Sequence, residues 1–126
     1  MAAPVAMGSV KREGADLRLY SAEELRKLGL QPRTGIAHHG VTAVIKGSKP
    51  GPRIALRADM DALPVAEVTG LPFASQVKQM NMGVESPVMH ACGHDGHTAM
   101  LMAVAEVLAG MREQIPGMVK FVFQPA

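Results

Sequence analysis

The chain has 126 residues, a length typical of one domain or part of one, and 48% of them are hydrophobic, which is enough for a buried core. The net charge of +2 is small and the basic residues are interleaved with acidic ones, so a nucleic-acid-binding surface is not expected. A single cysteine excludes an internal disulfide framework and favours a reducing compartment.

No segment of the sequence is predicted to cross a membrane or to direct secretion. The longest apolar stretch, residues 98–111, contains Glu106 and Gly110. The first eight residues lack the basic region that precedes the apolar part of a secretory signal. We therefore expect a cytoplasmic protein without membrane association, and we interpret residues 1–20 as a poorly ordered N-terminal segment.

The first predicted element is a short helix that begins at Ser21. Ser21 and Glu24 form the S-x-x-E capping-box pattern, in which the serine side chain caps the helix. Leu25 and Leu28 give the helix one apolar face, and Gly29 suits the left-handed residue that ends many helices. The pattern predicts a helix between Ser21 and Gly29.

Two strands follow, and their spacing predicts a hairpin. Residues 41–46 are rich in β-branched side chains, and residues 53–58 predict a second strand. The residues between them, 47–52, contain the glycines and prolines that are typical of turns. We therefore expect the two strands to pair in antiparallel fashion.

The second half of the chain predicts a long loop, a long helix and a final strand. Residues 65–88 show little periodicity, and a loop of that length is usually functional or disordered. Apolar residues then recur at helical spacing from His97 or Thr98 to about Gln114, and residues 118–123 predict a strand. The order strand, helix, strand predicts a βαβ crossover in a mixed α/β sheet.

Polar residues that could bind a metal or take part in catalysis lie next to these elements. Asp59 and Asp61 follow the second strand, Cys92 and His94 precede the long helix, and residues 124–126 leave the last strand. In open α/β sheets the active crevice lies outside the carboxyl ends of the strands. We therefore expect these segments to converge at one edge of the sheet.

Residues 89–98 hold three of the five histidines, the only cysteine and an aspartate. Cys92 and His94 are separated by Gly93, which lets the backbone turn tightly. A thiolate and an imidazole suit Zn, Mn, Co or Ni. The alternative is a buried free cysteine beside a histidine that caps a helix, and the polar neighbours His90 and His97 weaken that alternative because polar groups are costly to bury.

Asp59 and Asp61 point to opposite sides if the chain is extended between them, so only one can face the crevice. Asp61 could orient a metal-bound imidazole through the free N–H of its ring. The alternative is that both aspartates cap turns or pair with Arg57.

Three ordered motifs resemble the signatures of the M20 metallopeptidase family. They are R-A-D-M-D-A-L-P at residues 57–64, M-H-A-C-G-H-D-G-H-T-A-M-L at 89–101 and F-V-F-Q-P-A at 121–126. The resemblance is to the amidohydrolase branch, which includes hippurate hydrolases, N-acyl-amino-acid amidohydrolases and auxin-conjugate hydrolases. Three long motifs in order are a specific signal.

The resemblance implies an α/β zinc-peptidase-like catalytic domain that holds two divalent metal ions, of Zn, Mn, Co or Ni. Cys92 and His94 match the first two metal ligands, with the cysteine bridging the metals, and Asp61 matches the catalytic aspartate that supports the site. Asp59 stands where related peptidases have a ligand histidine. Asp59 and His97 are therefore expected to lie around the ligands without binding the metal.

By the same resemblance, residues 21–126 are the N-terminal part of the catalytic domain, and a lid domain that often dimerises lies beyond them. In the family, Gln-Pro-Ala is followed by a Glu-Glu pair that supplies the general base and a metal ligand, and two further histidine ligands lie downstream. The complete enzyme is expected to hydrolyse the amide bond of small N-acyl amino acids, such as hippurate or N-acetyl amino acids, as a homodimer where the lid dimerises. The 126 residues alone are expected to be inactive.

Two other functions fit the sequence less well. The first is a non-catalytic chain whose open sheet edge needs a partner. The second is a thiol enzyme that uses Cys92 with His94 or His97, for which the only support is a helix N-terminus near the cysteine.

Overall fold

A computed structural model describes residues 17–125, with side chains described from Ser21 onward. The segment predicted to be poorly ordered, residues 1–20, lies outside the described residues except for its last four, which begin the first helix. In chain order the elements are α1 (Leu17–Lys27), β1 (Arg33–Ile36), β2 (Gly40–Lys46), β3 (Lys49–Asp59), β4 (Lys78–Asn81), β5 (Val84–Pro87), α2 (His94–Gly110), a short 3₁₀ turn (Arg112–Gln114) and β6 (Pro116–Gln124).

Helix α1 begins four residues before the predicted cap, so the prediction that Ser21 starts the helix is wrong. Ser21 instead lies within the helix with a fully buried side chain, next to the buried Ala22. The predicted end is correct. Gly29 has a φ of 75°, its N–H lies 2.9 Å from the Arg26 carbonyl, and the Leu30 N–H lies 3.0 Å from the Leu25 carbonyl. This pattern is a Schellman motif, which closes the helix with a left-handed glycine.

The main sheet has the order β1-β2-β6-β3, so the predicted β2–β3 hairpin is wrong. Strand β6 lies between the two, antiparallel to β2 and parallel to β3. The start of β6 fits between them because glycines allow the backbones to approach closely. The Gly47 N–H lies 2.9 Å from the Gly117 carbonyl. A Cβ on Gly51 would stand 2.7 Å from the Gly117 nitrogen. The glycines that predicted a tight turn therefore allow a third strand to pass beside the turn.

The predicted βαβ crossover is confirmed by β3, α2 and β6. Both helices contact the sheet and each other, and one face of β6 is fully buried beneath them. In that core Phe121 is paired with Ala43 on one side and with Leu56 on the other. The core cluster also includes Leu25 of α1 and further residues of both helices and the sheet.

Two parts of the fold were not predicted. Strand β1 pairs with β2, and β4 pairs with β5 as a hairpin inside the long loop. The hairpin turns at Met82 and Gly83, whose φ angles of 50° and 83° are both positive, as in the tight turns that suit two-residue hairpins. Among the described residues, no helix is long and apolar enough to cross a membrane.

Candidate active site

The carboxyl ends of the parallel strands β3 and β6 place two of the predicted segments together. Asp59 is directly paired with Gln124 in the sheet. The Met60 N–H lies 3.0 Å from the Gln124 carbonyl oxygen, and Arg57 Nε donates to Gln124 Oε1 at 3.1 Å. The backbone at Asp59 is therefore held by the centre of the sheet.

A backbone bridge between Leu63 and Met89 joins the loop after β3 to the loop before α2. The Leu63 N–H lies 2.8 Å from the Met89 carbonyl, and the Met89 N–H lies 3.0 Å from the Leu63 carbonyl. These two hydrogen bonds bring the chain after Asp61 next to the chain before His94, although the loops are far apart in sequence.

Helix α2 begins at His94, which is three residues before His97 and four before Thr98, the two predicted starts. The residue before it, Gly93, has a φ of 79°, a left-handed conformation that glycine adopts without steric cost. Because the helix starts at His94, that residue and His97 lie one turn apart on the same face. Their rings are stacked with centroids 5.7 Å apart.

Hydrogen bonding fixes the orientation of the His94 ring. Its Nδ1 lies 2.9 Å from the backbone carbonyl oxygen of Asp61. A carbonyl oxygen only accepts, so Nδ1 carries the hydrogen and, in the neutral ring, Nε2 keeps its lone pair. Nε2 lies 3.4 Å from Asp59 Oδ2. Such a partner behind an imidazole is the usual way in which proteins orient a metal-ligating histidine.

Asp61 lies against the same nitrogen but leaves one oxygen unused. Asp61 Oδ1 is 3.0 Å from His94 Nδ1, yet the single ring hydrogen goes to the Asp61 carbonyl. Oδ1 is buried and has no hydrogen-bond partner among the residues that the structure describes. An unpaired buried carboxylate oxygen is costly. A bound cation or an ordered water at this position would relieve that cost.

Asp59 is the centre of a second set of contacts. Its Oδ1 accepts a hydrogen bond of 2.6 Å from His97 Nδ1, and its backbone carbonyl accepts one of 3.1 Å from the buried Thr98 hydroxyl. The hydrogen bond from His97 holds the pKa of Asp59 below its ordinary value, with a smaller contribution from His94, against the opposing effect of burial. The predicted alternative, a pair with Arg57, is present only at 4.0 Å.

The expectation that only one aspartate faces the crevice is wrong. Strand β3 ends at Asp59, so the alternation of an extended chain no longer applies to Asp61. Both aspartates contact His94, one at each side of its ring. The ring is therefore enclosed by two carboxylates from the same short segment.

Three residues have ligand atoms that all lie within 4.8 Å of one another: Asp59, His94 and His97. Carboxylate and imidazole groups suit divalent transition metals, so the residues present fit a metal ion. Cys92 is exposed and does not belong to this cluster. The structure thus brings together four of the five predicted site residues, Asp59, Asp61, His94 and His97, and leaves the Cys92 side chain outside their contacts.

Two further residues lie at this site that were not among the predicted site residues. Thr98 is almost fully buried and holds the Asp59 backbone. Within the described part of the chain, both ring nitrogens of His90 are buried without hydrogen-bond partners, and burial lowers the pKa of His90. No local pattern marks Thr98, because only the fold shows which carbonyl its hydroxyl reaches.

The sequence profile described as peptidase family M20/M25/M40 matches residues 55–126, which is more than half of the chain. The chain belongs to this family. The resemblance predicted from the three motifs is thereby confirmed, and so is the mixed α/β fold class.

Several curated proteins are similar to the chain. Thermostable carboxypeptidase 1 of Saccharolobus solfataricus is 50% identical over 106 residues, which cover 83% of this chain and 25% of that protein. The N-acetyl-L-cysteine deacetylase of Bacillus subtilis is 46% identical over 117 residues, which cover 93% of this chain and 26% of that protein. The chain therefore spans about a quarter of the length of these curated relatives.

A solved M20 structure has a similar fold. The Bacillus subtilis YXEP protein, described as a dinuclear metal binding peptidase of the M20 family, matches with a TM-score of 0.75 and 42% identity. The match covers 86% of this chain and 28% of that protein. The roles predicted for Asp61, Cys92 and His94 stay predictions.

Proposed function

We propose that this chain is the metal-holding N-terminal part of a hydrolase that cleaves the amide bond of N-acyl amino acids with two divalent metal ions. The observation that carries the proposal is the enclosure of His94 by Asp59 and Asp61 at the carboxyl ends of β3 and β6. Metal ions at such a site lower the pKa of a bound water and polarise the amide carbonyl.

The residues of the chain have separate tasks in this proposal. Cys92 and His94 would hold the metal, and Asp61 orients the His94 ring through Nδ1, which leaves Nε2 as the nitrogen that would bind. Asp59 and His97 line the other side of that ring. The metals are Zn, Mn, Co or Ni, because thiolate, imidazole and carboxylate ligands all suit these ions.

The relatives support the substrate class. One is named N-acetyl-L-cysteine deacetylase, and another, from Geobacillus stearothermophilus, is named N-acyl-L-amino acid amidohydrolase with 49% identity over 86 residues. Both names describe removal of an acyl group from an amino acid. We therefore propose small N-acyl amino acids as substrates. We also propose a cytoplasmic location and, for the complete enzyme, a homodimer formed through the lid domain.

We also propose that the 126-residue chain by itself does not turn over substrate. A general base typically contributes about 10²–10⁴-fold to the rate. Asp59 and Asp61 have other roles in this proposal, so neither of them is the general base. The non-catalytic reading of the chain makes the same prediction for the isolated chain, so the two need a test in a complete enzyme.

A chimera provides that test. The matching segment of the Bacillus subtilis deacetylase is replaced by this chain, to which it is 46% identical, and hydrolysis of N-acetyl-cysteine, N-acetyl-methionine and hippurate is measured with Mn, Co or Zn. We expect turnover that is lost on chelation and in the His94→Gln and Cys92→Ser variants. Turnover that survives both substitutions would refute the proposed ligand pair, and a correctly folded chimera without any turnover would favour the non-catalytic chain.

A further inference from the structure

We propose that the outer face of the main sheet, which is turned away from α1 and α2, docks an amphipathic helix with acidic side chains that belongs to the further chain of the complete protein. The proposal does not depend on the proposed function, because this face is separate from the residues of the metal site. We call it the basic face. Its exposed basic residues are Arg33, Lys46, Arg53, Arg57 and Lys120.

The strand register brings the five basic residues onto one side of the sheet. Alternate residues of β6 are buried under the helices, so Lys120, which lies between two of them, points to the opposite side. In the sheet Lys120 lies between Val44 of β2 and Ala55 of β3. The rows on either side of it are Lys46–Met118–Arg53 and Arg33–Thr42–Val122–Arg57.

The positive charge of the basic face is not balanced by acidic side chains. Asp59 is the only acidic residue in the four strands of the sheet, and its carboxylate already accepts a hydrogen bond from His97. Within residues 21–125, Arg57 is the only one of the five basic residues with an acidic partner, which is Asp59 at 4.0 Å. The fold thus collects basic residues that are far apart in the sequence into one surface, and an acidic partner would complement it.

The middle of the basic face is apolar, which distinguishes it from a surface for nucleic acid. Val44 is 41% exposed, and Met118 and Val122 are half-buried. On the four strands no aromatic side chain that could stack on a base faces outward, since Phe121 and Phe123 are buried beneath the helices. Apolar residues among basic ones suit a helix with one apolar stripe and acidic flanks.

The topology of the sheet favours a helix of the same protein as the occupant. Parallel strands are usually covered by helices on both faces, whereas α1 and α2 cover only one face of β3 and β6. Within the described residues β3 pairs only with β6, so its other edge can take a further strand. A strand that follows β6 and pairs in parallel with that edge is reached in the direction opposite to the β3–α2–β6 crossover. A right-handed connection then places its helix on the outer face. The chain spans about a quarter of the length of its relatives, and we place the helix in the part of the complete protein beyond that quarter.

Binding of synthetic helical peptides to the 126-residue chain, measured by calorimetry, tests the proposal. The probe is a peptide of about five helical turns with a leucine stripe flanked by glutamates, and its control has lysines in place of the glutamates. We expect only the glutamate peptide to bind, and to bind more weakly at high salt. The double variant Arg53→Glu, Lys120→Glu should weaken binding by ~10-fold or more, because two attractive contacts become repulsive. The matched control is Arg26→Glu, at an exposed position of α1, which should leave binding unchanged.

The backbone amide NMR signals of the wild-type chain locate the peptide without relying on the folding of any variant. The glutamate peptide should shift signals of β1, β2, β3 and β6. Absence of binding, equal binding of the two peptides, or shifts centred on α2 would overturn the proposal. Tighter binding of duplex DNA than of the glutamate peptide at the same signals would also overturn it and would make the basic face a nucleic-acid surface.

The chimera with the Bacillus subtilis deacetylase tests whether the helix comes from the same protein. In that complete chain the basic face should already be covered, so the glutamate peptide should not bind. Binding to the chimera as tight as to the 126-residue chain would mean that the face stays open for a separate protein, and the proposed occupant would be wrong.

Discussion

Replacing Thr98 by valine should destabilise the protein and loosen the candidate site at the same time. Thr98 is 2% exposed, and its hydroxyl donates to the Asp59 carbonyl at 3.1 Å. Valine has nearly the same shape, so packing is retained while one acceptor loses its partner. A buried polar group left without a partner costs about 1–3 kcal/mol. For a domain of this size that corresponds to a fall in Tm of roughly 3–8 °C per kcal/mol.

Urea unfolding followed by far-ultraviolet circular dichroism measures the effect, because the chain has no tryptophan to report by fluorescence. The matched control is Thr69→Val, which removes the exposed hydroxyl that donates to Glu67 at 2.8 Å in the long loop. Surface changes of this kind usually stay within about 0.5 kcal/mol. If Thr98→Val and Thr69→Val destabilise equally, the Thr98 hydroxyl does not hold the Asp59 backbone and the reasoning fails.

Three further predictions concern the metal-free chain. His97→Gln should raise the pKa of Asp59 toward its ordinary value of 3.8, and carboxyl NMR measures this change. The depressed pKa of Asp59 stabilises the folded chain above pH 3.8, and this stabilisation is lost as the pH falls, so the substitution should also reduce it. His90→Gln should flatten the loss of stability below pH 6.5 in urea titrations, because burial lowers the pKa of His90 and the unfolded chain binds the proton first. Ile54→Lys should reduce concentration-dependent association measured by light scattering, since Ile54 is 49% exposed on β3, which pairs only with β6 among the described residues; equal association of both proteins would contradict this.

Local pattern predicted the elements whose signal is strong in sequence. The apolar, β-branched runs that became β2 and β6, and the helical spacing in α2, were recognised because burial requires them. The βαβ crossover followed from their order. Strand β1 and the β4–β5 hairpin were missed because they are four residues long and mostly exposed or half-buried, so no apolar alternation marks them.

The errors in pairing have a different cause. Residues 41–58 look like a hairpin because adjacent strands usually pair. The position of β6 between β2 and β3 depends on contacts at Gly47, Gly51 and Gly117, which are distant in sequence. In the same way, the motifs predicted that Asp59 and His97 lie near the site. The 2.6 Å contact between them depends on where α2 begins, which the motifs do not show.

The long loop is what holds the site together. Leu63 and Met89 can be bridged only if the chain between them returns to its start, and closing a flexible loop costs entropy that grows with its length. The β4–β5 hairpin shortens the free part of this loop. Val88 continues the pairing of this hairpin by donating its N–H to the Val77 carbonyl at 3.0 Å. Glu67 closes a smaller turn by accepting the Ser75 N–H at 2.7 Å, a contact that also lowers the Glu67 pKa. Because the loop is ordered by its own contacts, Met89 is presented to Leu63, and the chain on either side of that bridge places Asp61 against His94.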